Sequence, residues 1–198
     1  MDARDLKPII EALLFASDSP VPVGKIRSIV DHIDARQVEE IIAELNTEYA
    51  SAGRSFHIVE VAGGFQFATR PQYAPWIKKL FRGRRLARLS PAALETLAII
   101  AFKGPIIRSE IEAIRGVSAE GVLKTLLERT MVTVTGRQES PGRPLLYATT
   151  PEFLIYFGLK SLSDLPKPKE LEELLGREED RAQQEGAAVQ QEMLYEAE

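Results

Sequence analysis

The chain has 198 residues and no cysteine, which excludes disulfides, thiolate metal sites, iron–sulfur clusters and a cysteine nucleophile. Hydrophobic residues make up 44% and charged residues 27%, enough apolar material for compact cores, and no apolar run approaches the ~20 residues that a membrane-spanning helix needs. The opening Met1-Asp2-Ala3-Arg4-Asp5 is charged and unlike a secretory signal, so a cytoplasmic protein is expected. The net charge of −4 is uneven: residues 1–76 carry −4, residues 77–88 carry +6, residues 89–160 carry +1 and residues 161–198 carry −7.

Leu6, Ile9, Ile10, Leu13 and Leu14 form one apolar stripe of a helix that ends near Ser17-Asp18-Ser19-Pro20. A short second helix follows, with Val23, Ile26, Ile29 and Val30 facing inward. Asp34 and Gln37 make a capping box for a third helix, whose buried face is Val38, Ile41, Ile42, Leu45 and Tyr49 and whose end is Gly53. Phe56–Ala62 and Phe65–Thr69 are β-rich, with Gly63-Gly64 as the hairpin turn between them.

A second stretch repeats this plan. Ser90 caps a helix with Pro91 at its first position, and Leu94–Phe102 is apolar nearly all round, which predicts a central buried helix. After Gly104-Pro105 comes a short helix with Ile111 and Ile114; Ser118 is expected to cap a third bearing Val122, Leu123, Leu126 and Leu127. Strands are predicted at Val132–Thr135 and Leu145–Thr149, flanking the loop 136–144, and Thr150-Pro151 starts a short helix with Phe153, Leu154 and Phe157. An offset of 85 superimposes Pro20 on Pro105, Ile26 on Ile111, Val38 on Leu123, Ile41 on Leu126 and Ile42 on Leu127.

Three helices and a hairpin in about 70–80 residues is the winged-helix plan. The expected fold is α+β, mainly α: a winged-helix domain over 5–80, a basic linker over 81–89, a second winged-helix domain over 90–165, then a linker and a disordered acidic tail over 166–198.

Helix-turn-helix proteins read DNA with the third helix, and here that helix carries Asp34, Arg36, Glu39, Glu40, Glu44 and Glu48 in the first module, net −4. Its counterpart, with Glu120, Lys124, Glu128 and Arg129, is neutral. The electropositive feature is instead the bridge of Lys78, Lys79, Arg82, Arg84, Arg85 and Arg88, a candidate for weak, salt-sensitive contact with nucleic acid. Trp76 and Phe81 beside it stand at helical spacing, which suggests core anchors. Arg143, between Gly142 and Pro144, is read as shaping the wing, with Arg137 nearby. Phe56, Phe65, Phe67, Tyr73 and Trp76 crowd the end of the first module, more aromatic surface than its core readily hides, and are candidates for a dimer interface. There is no G-x-G-x-x-G, P-loop, H-E-x-x-H or G-x-S-x-G. His32 lies between two helices and His57 in a strand, neither read as part of a catalytic dyad, and Glu110 and Glu112 point to different helix faces. No enzyme and no cofactor are expected.

Leu94–Ala101, Glu110–Val117, Gly121–Arg129, Gly142–Tyr147, Thr149–Phe153 and Phe157–Leu162, together with the opening Leu6–Ala16 and Pro20, resemble the bacterial segregation and condensation protein B family over about residues 5–166. The resemblance implies two winged-helix modules in a non-enzymatic, homodimeric subunit of the bacterial SMC complex. It implies binding to the kleisin subunit, segregation and condensation protein A, which bridges the SMC ATPase heads, and a part in chromosome condensation and segregation at the nucleoid. Ile107 stands where the family often has a capping threonine, and Ser109 with Glu112 suggests a shifted capping box; Thr130 stands where a glycine often ends the third helix. The competing reading is a DNA-binding transcription regulator using the bridge and the second wing.

Overall fold

The computed structural model describes residues 3–81 and 89–167, so Arg82, Arg84, Arg85, Arg88 and the tail from residue 168 lie outside the described residues. The fold is mixed and mainly helical, with one element order used twice. The first repeat runs α1 (Ala3–Ala16), β1 (Val21–Pro22), α2 (Val23–Ile29), α3 (Ala35–Ser51), β2 (Phe56–Val61) and β3 (Gly64–Thr69), and a 3-10 turn then leads into α4 (Ala74–Leu80). The second runs α5 (Pro91–Lys103), β4 (Ile106–Ile107), α6 (Arg108–Arg115), α7 (Glu120–Glu128), β5 (Val132–Arg137) and β6 (Leu145–Thr149), closed by α8 (Pro151–Phe157). Each repeat holds a three-stranded antiparallel sheet, ordered β1-β3-β2 and β4-β6-β5.

The apolar periodicity packs as its spacing requires. Leu6, Ile10 and Leu14 of α1 meet Ile26, Val38, Leu45 and Ile58 in the first core, and Leu97, Ile100, Ile111, Leu123 and Leu126 are buried in the second repeat. Ile26 and Ile111, paired by the offset of 85, are both fully buried. The offset carries on into α3 and α7, where Val38 and Leu123 are both buried, and ends with α7, because α3 has 17 residues and α7 has 9. Thr96 is the buried polar residue of α5, and its hydroxyl is satisfied by donating to the Ala92 carbonyl at 2.8 Å.

Several local expectations are corrected. The two-residue strands β1 and β4 are too short to show periodicity. Ile29 faces outward at 48% exposed, and α5 leaves Leu94 and Phe102 largely exposed at its two ends. The first hairpin turn is Ala62–Gly63, both at positive φ (49° and 70°), rather than Gly63-Gly64; Gly64 already pairs with Val61. Ser118 does not cap α7: its hydroxyl donates to Glu112, which also accepts from the Ala119 amide at 3.0 Å. Ser109 does not cap α6 either, because Ile107 occupies the N-cap and Glu110 reaches back to the Ile107 amide at 3.4 Å. Asp34 and Gln37 do form the predicted capping box, at 2.8 and 3.0 Å.

Helix ends α3 and α7 use the same Schellman bonding with different residues. Gly53 takes the left-handed position after α3, at φ 64°. After α7 that position is Thr130, at φ 55°, and the Thr130 and Met131 amides donate to the Leu127 and Leu126 carbonyls at 2.9 and 3.0 Å. A β-branched residue there costs ~1–2 kcal/mol, partly offset by the greater freedom glycine has when unfolded. Thr130→Gly should therefore raise stability by about 0.5–1 kcal/mol, seen as a higher melting temperature by calorimetry. The hydrogen bond from the Thr150 hydroxyl to the Thr130 carbonyl survives the change.

The two repeats also meet. The Ala62 and Gly63 amides at the first hairpin tip donate to the Leu159 and Lys160 carbonyls, each at 2.9 Å. Beside them Lys160 Nζ lies 2.7 Å from the Glu60 carboxylate.

Candidate functional site

Leu6, Ile10 and Leu14 turn one face of α1 inward, so Pro8, Glu11, Ala12 and Phe15 fall on a flank beside the hairpin. With Phe56 of β2 and Phe67 of β3 they line an apolar groove of about 510 Å³. Its floor is an aromatic cluster, with ring centroids 5.0 Å apart for Tyr49–Phe56, 5.5 Å for Phe56–Phe67 and 6.2 Å for Phe15–Phe67. Phe15 forms the lip and is 82% exposed.

The polar edge of the groove is a single contact: the Tyr49 hydroxyl donates to Glu11 Oε1 at 2.6 Å. Burial, then this bond, push the Tyr49 phenol well above its ordinary value. The folded chain therefore keeps the phenolic proton that the unfolded chain releases above about pH 10. This contribution to stability is complete below pH 10 and is lost as pH rises beyond it. Tyr49→Phe should flatten the alkaline decline in melting temperature, which a melting series from pH 9 upward would show.

A second exposed patch follows on α4. Trp76 is 64% exposed, Leu80 74% and Phe81 50%, with Lys78 and Lys79 exposed among them. Trp76 and Phe81 are therefore surface groups, contrary to their expected role as core anchors. Tyr73 is half-buried and lies 6.5 Å from the Trp76 ring.

The structure thus divides the predicted aromatic set. Phe56 and Phe67 line the groove, and Tyr73 and Trp76 belong to the α4 patch. Phe65 is 8% exposed within the core, so it offers no surface to a partner in this chain. Phe15, Leu80 and the Tyr49–Glu11 pair were not anticipated; the signal for Phe15 was an aromatic lying off the apolar stripe of its own helix. Of the six bridge cations, Lys78 and Lys79 are described, and they stand on α4.

The acidic face of α3 has a partner in α1. Lys7 Nζ lies 2.8 Å from Glu44 and 2.7 Å from Glu48, and these bonds raise the Lys7 pKa above its ordinary value. Among the described residues no group of three or more histidine, aspartate or glutamate side chains could hold a metal, and no helix is long and apolar enough to cross a membrane.

The family model "Segregation and condensation complex subunit ScpB" matches residues 8–168. The chain belongs to this family. Segregation and condensation protein B of Syntrophotalea carbinolica is 51% identical over 174 residues, covering 88% of this chain and 87% of the relative. That of Moorella thermoacetica is 48% identical over 162 residues, 82% of each chain. Among solved structures, ScpB from Mycobacterium tuberculosis is 32% identical with a TM-score of 0.38, covering 80% of this chain and 98% of that one. A structure described as a dimer of the ScpB N-terminal domain complexed with ScpA peptide is 31% identical with a TM-score of 0.36, covering 40% of this chain and 99% of that one. Family membership accounts for the resemblance read over about residues 5–166.

Proposed function

We propose that this ScpB-family chain is a non-catalytic, kleisin-binding subunit of a bacterial SMC complex that takes part in chromosome condensation and segregation. On this reading each repeat is a winged helix, the domains span 5–80 and 90–165, residues 81–89 are a basic linker between them, and residues 166–198 are a linker and acidic tail. The observation that carries it is family membership across residues 8–168, combined with an exposed aromatic groove. The first repeat joins two copies through Phe15, Phe56, Phe67, Tyr73 and Trp76, and the dimer captures one kleisin. The protein works in the cytoplasm at the nucleoid. The deciding experiment is affinity capture of the tagged chain followed by mass spectrometry. Stoichiometric recovery of a kleisin and an SMC ATPase is expected, and a tight, sequence-specific DNA complex at physiological salt would instead make it a transcription regulator.

Contact with DNA on this reading is weak and non-specific, and it centres on the bridge. The acidic surface of α3, with Glu39, Glu40, Glu44 and Glu48, would repel a duplex in the place where a recognition helix normally lies. Replacing Arg82, Arg84, Arg85 and Arg88 by serine should remove most duplex affinity, and the slope of log affinity against log salt should fall by about 4. Fluorescence anisotropy with a labelled duplex of random sequence measures both.

A further inference from the structure

In the second repeat the wing loop closes over the start of α6, leaving a cleft of about 340 Å³ lined by Arg108, Arg137 and Arg143 with Leu145 and Tyr147. The three guanidinium side chains come from separate segments: Arg108 opens α6, Arg137 ends β5, and Arg143 lies in the loop before β6. No carboxylate is among the lining residues. Three guanidinium groups around a cleft whose lining holds no carboxylate make a site for an external anion.

The loop geometry holds this arrangement. Arg137 donates to the Arg143 carbonyl at 3.0 Å, and the Arg143 amide donates to Ser140 at 2.9 Å. Arg143 itself sits at φ 40°, a left-handed conformation that disfavours any residue but glycine. The exposed Arg108 makes long ion pairs with Glu112 and Glu120, at 3.7 and 3.6 Å and beyond good hydrogen-bond range, which a better-placed acceptor can displace.

We propose that this cleft binds a carboxylate, the side chain of an aspartate or glutamate in a bound polypeptide. The identity of that polypeptide rests on the kleisin reading above; the anion site does not. A single planar carboxylate matches the forked donors of arginine and leaves Leu145 and Tyr147 to meet an apolar neighbour in the same peptide. A nucleic-acid backbone fits less well. Duplex DNA brings a charge every ~1.7 Å along its axis, and Glu110, Glu120 and Glu139 are exposed on the same repeat.

The first test is a titration of the full-length, nitrogen-15-labelled chain with N-acetylglutamate amide at millimolar concentration, read at the arginine Nε–Hε signals. Assigned by substitution, Arg108, Arg137 and Arg143 should shift together and saturably, and Arg143→Gln should abolish the response. Signals that do not saturate, or that move with a DNA duplex and not with the glutamate probe, overturn the proposal. The second test is calorimetric titration with the purified kleisin. Arg108→Gln and Arg143→Gln should each weaken binding about ten-fold, with Arg143→Lys intermediate because it keeps charge and loses the fork. All three sites are exposed, so melting temperatures should be unchanged, which separates a lost contact from a lost fold. Kleisin affinity unmoved by both glutamine variants overturns the proposal, whereas a saturable glutamate response without kleisin binding upholds the anion site and removes the kleisin reading instead.

Discussion

Gly64→Ala should be the most destabilising small substitution in the first repeat, costing about 2–3 kcal/mol or more. A Cβ built on Gly64 would lie 2.8 Å from the Val21 carbonyl carbon and 3.0 Å from atoms of Pro20 and Pro22, all of them backbone. Nothing flexible can yield, so β1 must move away from β3 and break the Val21–Phe65 and Pro22–Gly64 pairing. That in turn exposes Val21 and Phe65, both core residues. Gly63→Ala makes the informative control, because its Cβ would meet nothing within 4 Å and its penalty comes from φ 70° alone, about 1–2 kcal/mol. Thermal and urea denaturation of both variants should rank Gly64→Ala below Gly63→Ala. Equal losses would mean that β1 tolerates displacement.

Native mass spectrometry of the purified complex should give two copies of this chain and one kleisin, and the ratio should persist when ionic strength is raised before buffer exchange. A closed two-fold dimer offers two copies of each surface, and one asymmetric polypeptide cannot satisfy both in the same way. Buried apolar and aromatic anchors usually dominate interface energy, while rim charges mainly change association rates, so a contact seated on the groove should outlast the salt-sensitive DNA contact. Phe15→Asp isolates the dimer step. At 82% exposed, Phe15 contributes little to the fold of one chain, yet placing a charge at an interface anchor should weaken dimerisation by at least ~30-fold, about 2 kcal/mol. Light scattering should then report a monomer with an unchanged circular dichroism spectrum. A one-to-one complex, dissociation at modest salt, or a Phe15→Asp dimer of normal affinity would each defeat this arrangement.

Local signals in the sequence predicted local structure well. The Asp34–Gln37 box, the Ser90 cap, the helix start at Thr150-Pro151, and the buried pairs Ile26/Ile111 and Val38/Leu123 all depend on neighbours within a turn or two, so residue type and spacing suffice. What could not be read depends on distant partners. β1 and β4 exist because β3 and β6 pass beside them about 40 residues later in the chain. Ser118 falls one residue before the N-cap of α7, which is Ala119, and its hydroxyl donates to Glu112 instead. Of the candidate sites, the crowding of aromatics was visible, but its division was not. Phe65 and Phe67, two apart on β3, share one face of the sheet, so alternation alone did not show that the core would cover Phe65 while Phe67 would border the groove. The exposure of Trp76 and Phe81 was equally hidden, since helical spacing reports that residues share a face and not whether anything covers it.

The join between the hairpin tip and the segment after α8 uses main-chain donors and acceptors at both hydrogen bonds. It is consequently blind to side-chain identity. Ala62 and Gly63 could drift to asparagine or aspartate, residues at home in such a turn, without losing either bond. Only a change that removes an amide, as proline would, or that alters the length of the turn, would undo it. The part of this contact open to selection by point substitution is the Glu60–Lys160 ion pair, an exposed contact of the kind worth at most about 1 kcal/mol. Substitutions can therefore adjust the strength of the join in small steps while its presence is set by the turn geometry.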